Sequence, residues 1–268
     1  MKIALSQIGS TDDKDLNLKK MTEMSREAAE GGAQLIVFPE FAMFELPVLS
    51  QEFVAQAEEL DGPFVRGMQD VARELGVTIA FGMLERINGE NRAYNTIVVV
   101  GGAGEIVVRY RKLHLYDAFG DKESDFIRPG EFDGPTVFEV AGVKVGILTC
   151  YDLRFPEATR VLADEGVELT ILPASWVPGP RKEDHWKTLI RARAIENTFF
   201  VAGIGQAPKL AIGGSLLVDP MGIVVGELGE REGVGVYSVD TDRILEVRSV
   251  NPCLANRRFR VEIDQPSS

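Results

Sequence analysis

Three side chains in this 268-residue chain are of the types that covalent acyl transfer needs. Cys150 ends the apolar run of "VKVGILTCYDLRFPE", residues 143–157, where a polar, acidic, proline-containing turn begins. Glu40 ends "LIVFPE", and Lys112 follows "EIVVRYR". A free thiol has a pKa of about 8.5, so at neutral pH it needs a base before it can attack. A glutamate can take that proton and later give it to a departing amine. An ammonium can hold the negative charge that grows on the attacked carbonyl oxygen. The backbone N–H of Tyr151 can serve as a second donor to that oxygen, provided a helix or tight turn begins there. Each residue also has a structural reading. Cys150 can be a buried strand-end cysteine, Glu40 a loop or capping acid, and Lys112 a solvated lysine in the basic run "RYRK".

What sets the three apart is where the elements put them. "KIALSQI", "AQLIVFPE", "VTIAFGML" and "VELTILPASW" read as buried strands; "DKDLNLKKMTEMSREAAEGG", "GPFVRGMQDVARELG", "RFPEATRVLADEG" and "RKEDHWKTLIRARAIENT" read as helices. In the last of these, Trp186, Leu189, Ile190 and Ala194 fall on one side. "AYNTIVVVGGAGEIVVRYRKLHL" and "PTVFEVAGVKVGILTC" are hairpins, the second turning at Ala141-Gly142. "FFVAGIG", "GGSLLVDPMGIVVGEL" and "GVGVYSVD" form a third strand-rich block. Strands alternating with helices imply layered α/β, and the hairpins imply mixed sheets. Two such sheets face to face give a four-layer α-β-β-α sandwich. With no linker and no short repeat, residues 1–268 read as a single domain. Glu40, Lys112 and Cys150 then all stand at carboxyl ends of strands, where layered α/β folds bind ligands.

Bulk properties narrow the partners. A net charge of −12 speaks against nucleic acid, whose phosphates require a basic surface. The apolar runs are far shorter than the roughly 20 residues of a membrane span, and the apolar patch of "MKIALSQIGS" is too short for a signal peptide. A cytoplasmic location is the expectation. The two cysteines, Cys150 and Cys253, and two histidines, His114 and His185, offer no metal-binding spacing. The turn "GGAGE" joins two strands and lacks the helix of a phosphate cradle.

"FPE", "YRKLHLYD" and "CYDLRFPE" resemble the three signature segments of the nitrilase superfamily, the carbon–nitrogen hydrolases with a Glu-Lys-Cys triad. "KESDFIRPG", "LPASW", "HWKTLIRARAIENTFFV" and "SLLVDPMGIVV" extend the likeness over nearly the whole chain, in order. The resemblance implies the four-layer sandwich, with Glu40 as base and then acid, Lys112 as stabiliser of the tetrahedral intermediate and Cys150 as nucleophile. Glu123 is similar to a second glutamate that positions Lys112 and the substrate nitrogen. The resemblance further implies no metal or organic cofactor, and a homodimer or larger homo-oligomer joined through the helix near 156–165 and the C-terminal segment.

Within the superfamily the motifs look most like the omega-amidase and deaminated-glutathione amidase branch, which cleaves amides of small carboxylate-bearing acids. N-carbamoyl hydrolysis, nitrile hydrolysis and a catalytically silent binding protein are the other readings. A substrate carboxylate needs a cation, and Arg154, Arg181 and Lys182 are the candidates. Arg154 is expected to pair with Asp152 or Glu157, and residues 181–182 to be solvated at a helix start. The stretch "SWVPGPRKEDHW" departs from the Thr-Gly-Pro-Ala-His-Trp pattern frequent in that branch, which puts the substrate in question. Phe44 and Trp176 are candidate pocket walls, each also readable as core. For a Cys-His mechanism the candidates are His114, two residues beyond Lys112, and His185. His185 reads as a structural or capping histidine, and Cys253 as non-catalytic.

Overall fold

In the computed structural model, residues 1–208 and 210–262 are described. The alternation of strand residues builds the layers. In β1 (Lys2–Gln7) and β2 (Leu35–Val37), Ile3, Leu5, Leu35 and Val37 enter a core shared with the second sheet. Ala4 and Ile36 face the other way and pack under α1 (Lys14–Glu30) and α3 (Pro63–Leu75), with the short α2 (Gln51–Val54) between those helices in the chain. Both faces of these strands are covered, which is why they read as continuous apolar runs.

The first sheet adds β3 (Thr78–Arg86), β4 (Ala93–Val100), β5 (Ile106–Arg111) and a late strand, β12 (Gly233–Ser238), in the order β12-β1-β2-β3-β4-β5. The second sheet runs β11-β10-β9-β8-β7-β6. It is built from β6 (Val137–Val140), β7 (Val143–Ile147), β8 (Leu169–Ala174), β9 (Phe200–Gly205), β10 (Leu216–Val218) and β11 (Val224–Glu227). Each sheet has three parallel strands, β1-β2-β3 and β7-β8-β9, flanked by antiparallel ones. On the outer face of the second sheet, α4 (Pro156–Asp164) and α5 (Lys182–Asn197) contribute Leu162, Trp186, Ile190 and Ala194 to the core. Leu189 is only partly buried. The four-layer α-β-β-α sandwich of two mixed sheets is thus observed.

Local signals act where the sequence placed them. Asp13 caps α1 by accepting from Leu16 N–H, Pro63 and Pro156 open α3 and α4, and Gly76 ends α3 in the left-handed region. Ala141 and Gly142 both have positive φ, the requirement of a tight hairpin turn between β6 and β7. The helix α6 (Asp242–Val250) was not expected; it buries only Ile244 and Val247 while Leu245 and Val250 are exposed, so its apolar stripe is short.

Candidate active site

The chain leaves β2 and β7 earlier than their apolar runs suggest. After Val37 it turns through Phe38 and Pro39, so Glu40 sits in a turn rather than on the strand. That turn lies directly against β3: Gly82 N–H donates to Pro39 O, and Met43 N–H to Gly82 O. A Cβ at Gly82 would stand 2.7 Å from Glu40 Cα and 2.6 Å from Pro39 O. Glycine is what lets the backbone of the Glu40 turn approach the sheet.

Cys150 opens a 3-10 turn, Cys150–Arg154, with its own φ at +46°, a strained left-handed conformation for a non-glycine residue. Asp152 secures the turn. Its carboxylate accepts from Thr149 N–H at 2.8 Å, Tyr110 O–H at 2.6 Å and His114 N–H at 3.1 Å, and lies 2.7 Å from His114 Nδ1. Tyr151 follows the thiol in this turn, so its N–H is among those that a helical start does not bond internally.

Lys112, the first residue after β5, is buried and held between two carboxylates. Its Nζ is 2.9 Å from Glu40 Oε1 and 2.9 Å from Glu123 Oε2. Asn95 Nδ2, from β4, donates to the same two glutamates at 2.7 and 3.2 Å. Glu123 also accepts from Tyr116 N–H, and Glu40 Oε2 accepts from Ser175 N–H at 2.7 Å. Burial opposes the Lys112 charge, yet Glu123 and Glu40 outweigh it and hold the ammonium well above its ordinary pKa. Burial raises the Cys150 thiol well above its ordinary value, and Glu40 adds to this against the opposing pull of Lys112. The sulfur therefore rests as a thiol. An attack from it requires a base in place, and Glu40 is the carboxylate to which its raised pKa is coupled.

Glu40, Lys112, Glu123, Cys150 and Ser175 line one cavity of about 370 Å³, together with Tyr116, Tyr151, Trp176, Lys182 and Glu45. Of the expected wall residues, Trp176 is there, its indole N–H donating to Lys182 O. Phe44 is not: it is buried against Phe53, and Phe41 and Phe53 line the cavity instead. Arg154 does not pair with Asp152 or Glu157, because Thr149, Tyr110 and His114 already engage the Asp152 carboxylate, and, against expectation, it is not among the residues that line the cavity. Its guanidinium lies 4.9 Å from the Trp176 ring centre, with Nη2 3.5 Å from His185 Nδ1. Lys182 is not solvated; it is only 6% exposed, with Nζ bonded to Tyr116 Oη and over the rings of Tyr116 and Phe119. Arg181 is the exposed one, paired with Asp184. Neither histidine lines the cavity. His114 stacks on Phe155 beside Asp152, beyond the end of β5. Cys253 lies apart, its sulfur near Glu196 O.

Sequence reasoning missed Asn95, Tyr116, Ser175 and Glu45. Asn95 alone had a signal, an amide beside Thr96 in a strand that is otherwise apolar or aromatic. Among the described residues there is no cluster of three or more His, Cys, Asp or Glu suited to a metal ion, and no helix long and apolar enough to cross a membrane.

The architecture is that of the nitrilase superfamily. Saccharomyces cerevisiae Nit3, a member of branch 10 of that superfamily, superposes with a TM-score of 0.85 at 28% identity, covering 97% of each chain. A nitrilase-superfamily amidase from Nesterenkonia gives 0.80 at 29% identity, covering 93% of this chain and 95% of its own. The chain belongs to the carbon–nitrogen hydrolase family, whose model matches residues 2–249. Among its relatives are a hydrolase of Mycobacterium tuberculosis, 38% identical over 100% of this chain and 99% of its own, and the deaminated glutathione amidase of Escherichia coli O157:H7, 37% identical over 97% and 98%. The omega-amidase NIT2 of Xenopus tropicalis is 32% identical over 96% and 95%.

Proposed function

We propose that this protein is an amidase that cleaves the C–N bond of a small amide through a thioester on Cys150. The observation that carries the reading is one carboxylate, Glu40, fixed by Lys112, Asn95 and Ser175 in the cavity that holds a protonated thiol. Glu40 takes the Cys150 proton as sulfur bonds to the amide carbon. The oxyanion is met by the Lys112 ammonium and the Tyr151 N–H. The C–N bond breaks as Glu40 protonates the departing amine, leaving a thioester. Water then attacks, giving one proton to Glu40 and hydroxide to the carbon; the acid leaves and the thiol regains its proton. Glu123 shares the Lys112 ammonium with Glu40 and guides the substrate nitrogen. No step calls for a cofactor.

We assign the substrate to ω-amides of small carboxylic acids. Lys182 lines the cavity, and Arg154 adds positive charge 4.9 Å from the ring of the lining Trp176; neither forms an ion pair with a carboxylate among the described residues. The amidase names of its relatives agree with this class. We further read the chain as one catalytic domain working as a homodimer or larger assembly in the cytoplasm, where reducing conditions keep a nucleophilic thiol free.

Ammonia release from a panel of small amides tests the activity: the wild type turns over at least one, while Cys150→Ala and Glu40→Gln do not, though both remain folded. Mass spectrometry is expected to find the acyl adduct on Cys150. An adduct on Cys253, or equal inertness of wild type and Cys150→Ala on every amide, would defeat the reading.

A further inference from the structure

One buried acid in the cavity has no part in the scheme above. Glu45 lies on the same turn as Glu40, is 7% exposed, and has its backbone N–H bonded to Thr11 O. Its carboxyl group is hydrogen-bonded to the Ser175 hydroxyl. Ser175 is the residue whose backbone N–H holds Glu40 Oε2 at 2.7 Å and whose carbonyl lies 4.0 Å from Cys150 Sγ. A single residue thus touches the base through its N–H and the thiol through its C=O, and its side chain is tied to Glu45. Without that tie, the hydroxyl is free to rotate and the peptide that aligns Glu40 with the sulfur loses its anchor.

We propose that Glu45 is a positioning residue that works as an undissociated acid, fixing Ser175 and through it the alignment of Glu40 with Cys150. Burial pushes the Glu45 carboxyl up to about 8, against the pull of the Ser175 hydrogen bond and with the help of the Glu40 charge. It is therefore neutral at pH 7. On losing its proton it places a second negative charge in the cavity that holds Glu40. The ionisable groups that share the cavity are Glu40 on its own turn, Lys112 and Tyr116 after β5, and Asp121, Lys122, Glu123 and Asp125 beyond them. Cys150 and Tyr151 face it from the turn after β7, and Lys182 from the start of α5. Of these, Cys150, Tyr116 and Lys112 are shifted upward, away from pH 8. Lys182 is shifted downward, by burial and by Arg154, and is the group an alkaline inflection must be separated from.

The inference rests on the Glu40–Cys150 reading, so its test has a readout independent of amide turnover. The rate of Cys150 alkylation by iodoacetamide, followed by peptide mass spectrometry, is measured from pH 6 to 10 beside kcat/KM on a turned-over amide. At pH 7, Glu45→Ala is expected to lower both tenfold or more. Glu45→Gln, isosteric with the neutral acid and unable to ionise, restores most of that loss. The wild type shows a fall in kcat/KM with an inflection near pH 8, which Glu45→Gln lacks and Lys182→Met keeps. Wild-type rates in Glu45→Ala, or the same inflection in Glu45→Gln, would overturn the role. If Glu45→Ala fails to fold, the pH profile of Glu45→Gln decides. If no amide is turned over at all, the triad reading fails, and the alkylation series alone decides for Glu45: slowed in Ala and restored in Gln supports it, identical in all three overturns it.

Discussion

At the scale of single residues, the site depends on groups that never meet the substrate. Asp152 is fully buried, and its carboxylate collects the hydrogen bonds that hold the Cys150 turn in its strained backbone conformation. Asp152→Ala leaves the Tyr110 hydroxyl and the Thr149 and His114 amides without their acceptor. Each orphaned buried group costs about 1–3 kcal/mol, so with three orphaned, urea unfolding should show a stability loss of about 3 kcal/mol or more. Turnover should fall further than stability, because the turn that aims the sulfur relaxes. A second residue-scale expectation concerns Lys182. Lys182→Met should raise KM for a carboxylate-bearing amide tenfold or more while changing KM for a neutral amide of the same length by less than threefold. Equal effects on both would remove Lys182 from substrate recognition. Its neighbour Arg154 shows the limit of reading by adjacency: Asp152, two positions away, was the obvious partner, yet Thr149 from the same turn and Tyr110 and His114 from far along the chain already occupy that carboxylate.

At the scale of elements, Glu40 and Cys150 were legible as positions that follow a strand because each ends an apolar run, and Lys112 because it follows the β-branched and aromatic residues of "EIVVRYR". Signals carried by a single stretch also came through, such as the Ala141-Gly142 turn and the proline starts of α3 and α4. What did not come through depends on which elements meet. Asn95 is directed at Glu40 and Glu123 because β4 lies beside both β3 and β5, a neighbourhood that no local pattern states. Phe44 and Phe41 are both aromatic residues after "FPE"; the turn alone decides that the second lines the cavity and the first packs away from it. Gly82 is the clearest case. In sequence it is a glycine inside a strand, yet it sets how closely β3 and the Glu40 turn approach. Gly82→Ala must displace that backbone, since nothing at 2.6–2.7 Å from the new methyl group is a flexible side chain. The expected outcome is a folded protein with kcat lowered a hundredfold or more, read by circular dichroism and ammonia release. Retained activity would mean that the Glu40 turn tolerates movement.

At the scale of the whole molecule, the two sheets bring together residues far apart in the chain. Glu40 comes from the end of one sheet and Ser175 from the end of the other, so the site exists only when both are docked. The cost of burying Glu45 beside them is borne by global stability. An acid whose pKa rises from 4.5 unfolded to about 8 folded binds a proton on folding between those values. The sign follows: its contribution is fully present below pH 4.5 and is lost as pH rises through 8. Across that window the loss amounts to roughly 3–5 kcal/mol, of which other titrating groups can hide a part in the wild type alone. The difference between Glu45→Gln and wild type isolates it, since the amide keeps the Ser175 contact without titrating. The midpoint of thermal unfolding for Glu45→Gln relative to wild type should therefore rise steadily from pH 5 to pH 8 and level off above. A difference that stays flat across this range would show that Glu45 ionises in the folded protein as it does in the unfolded chain.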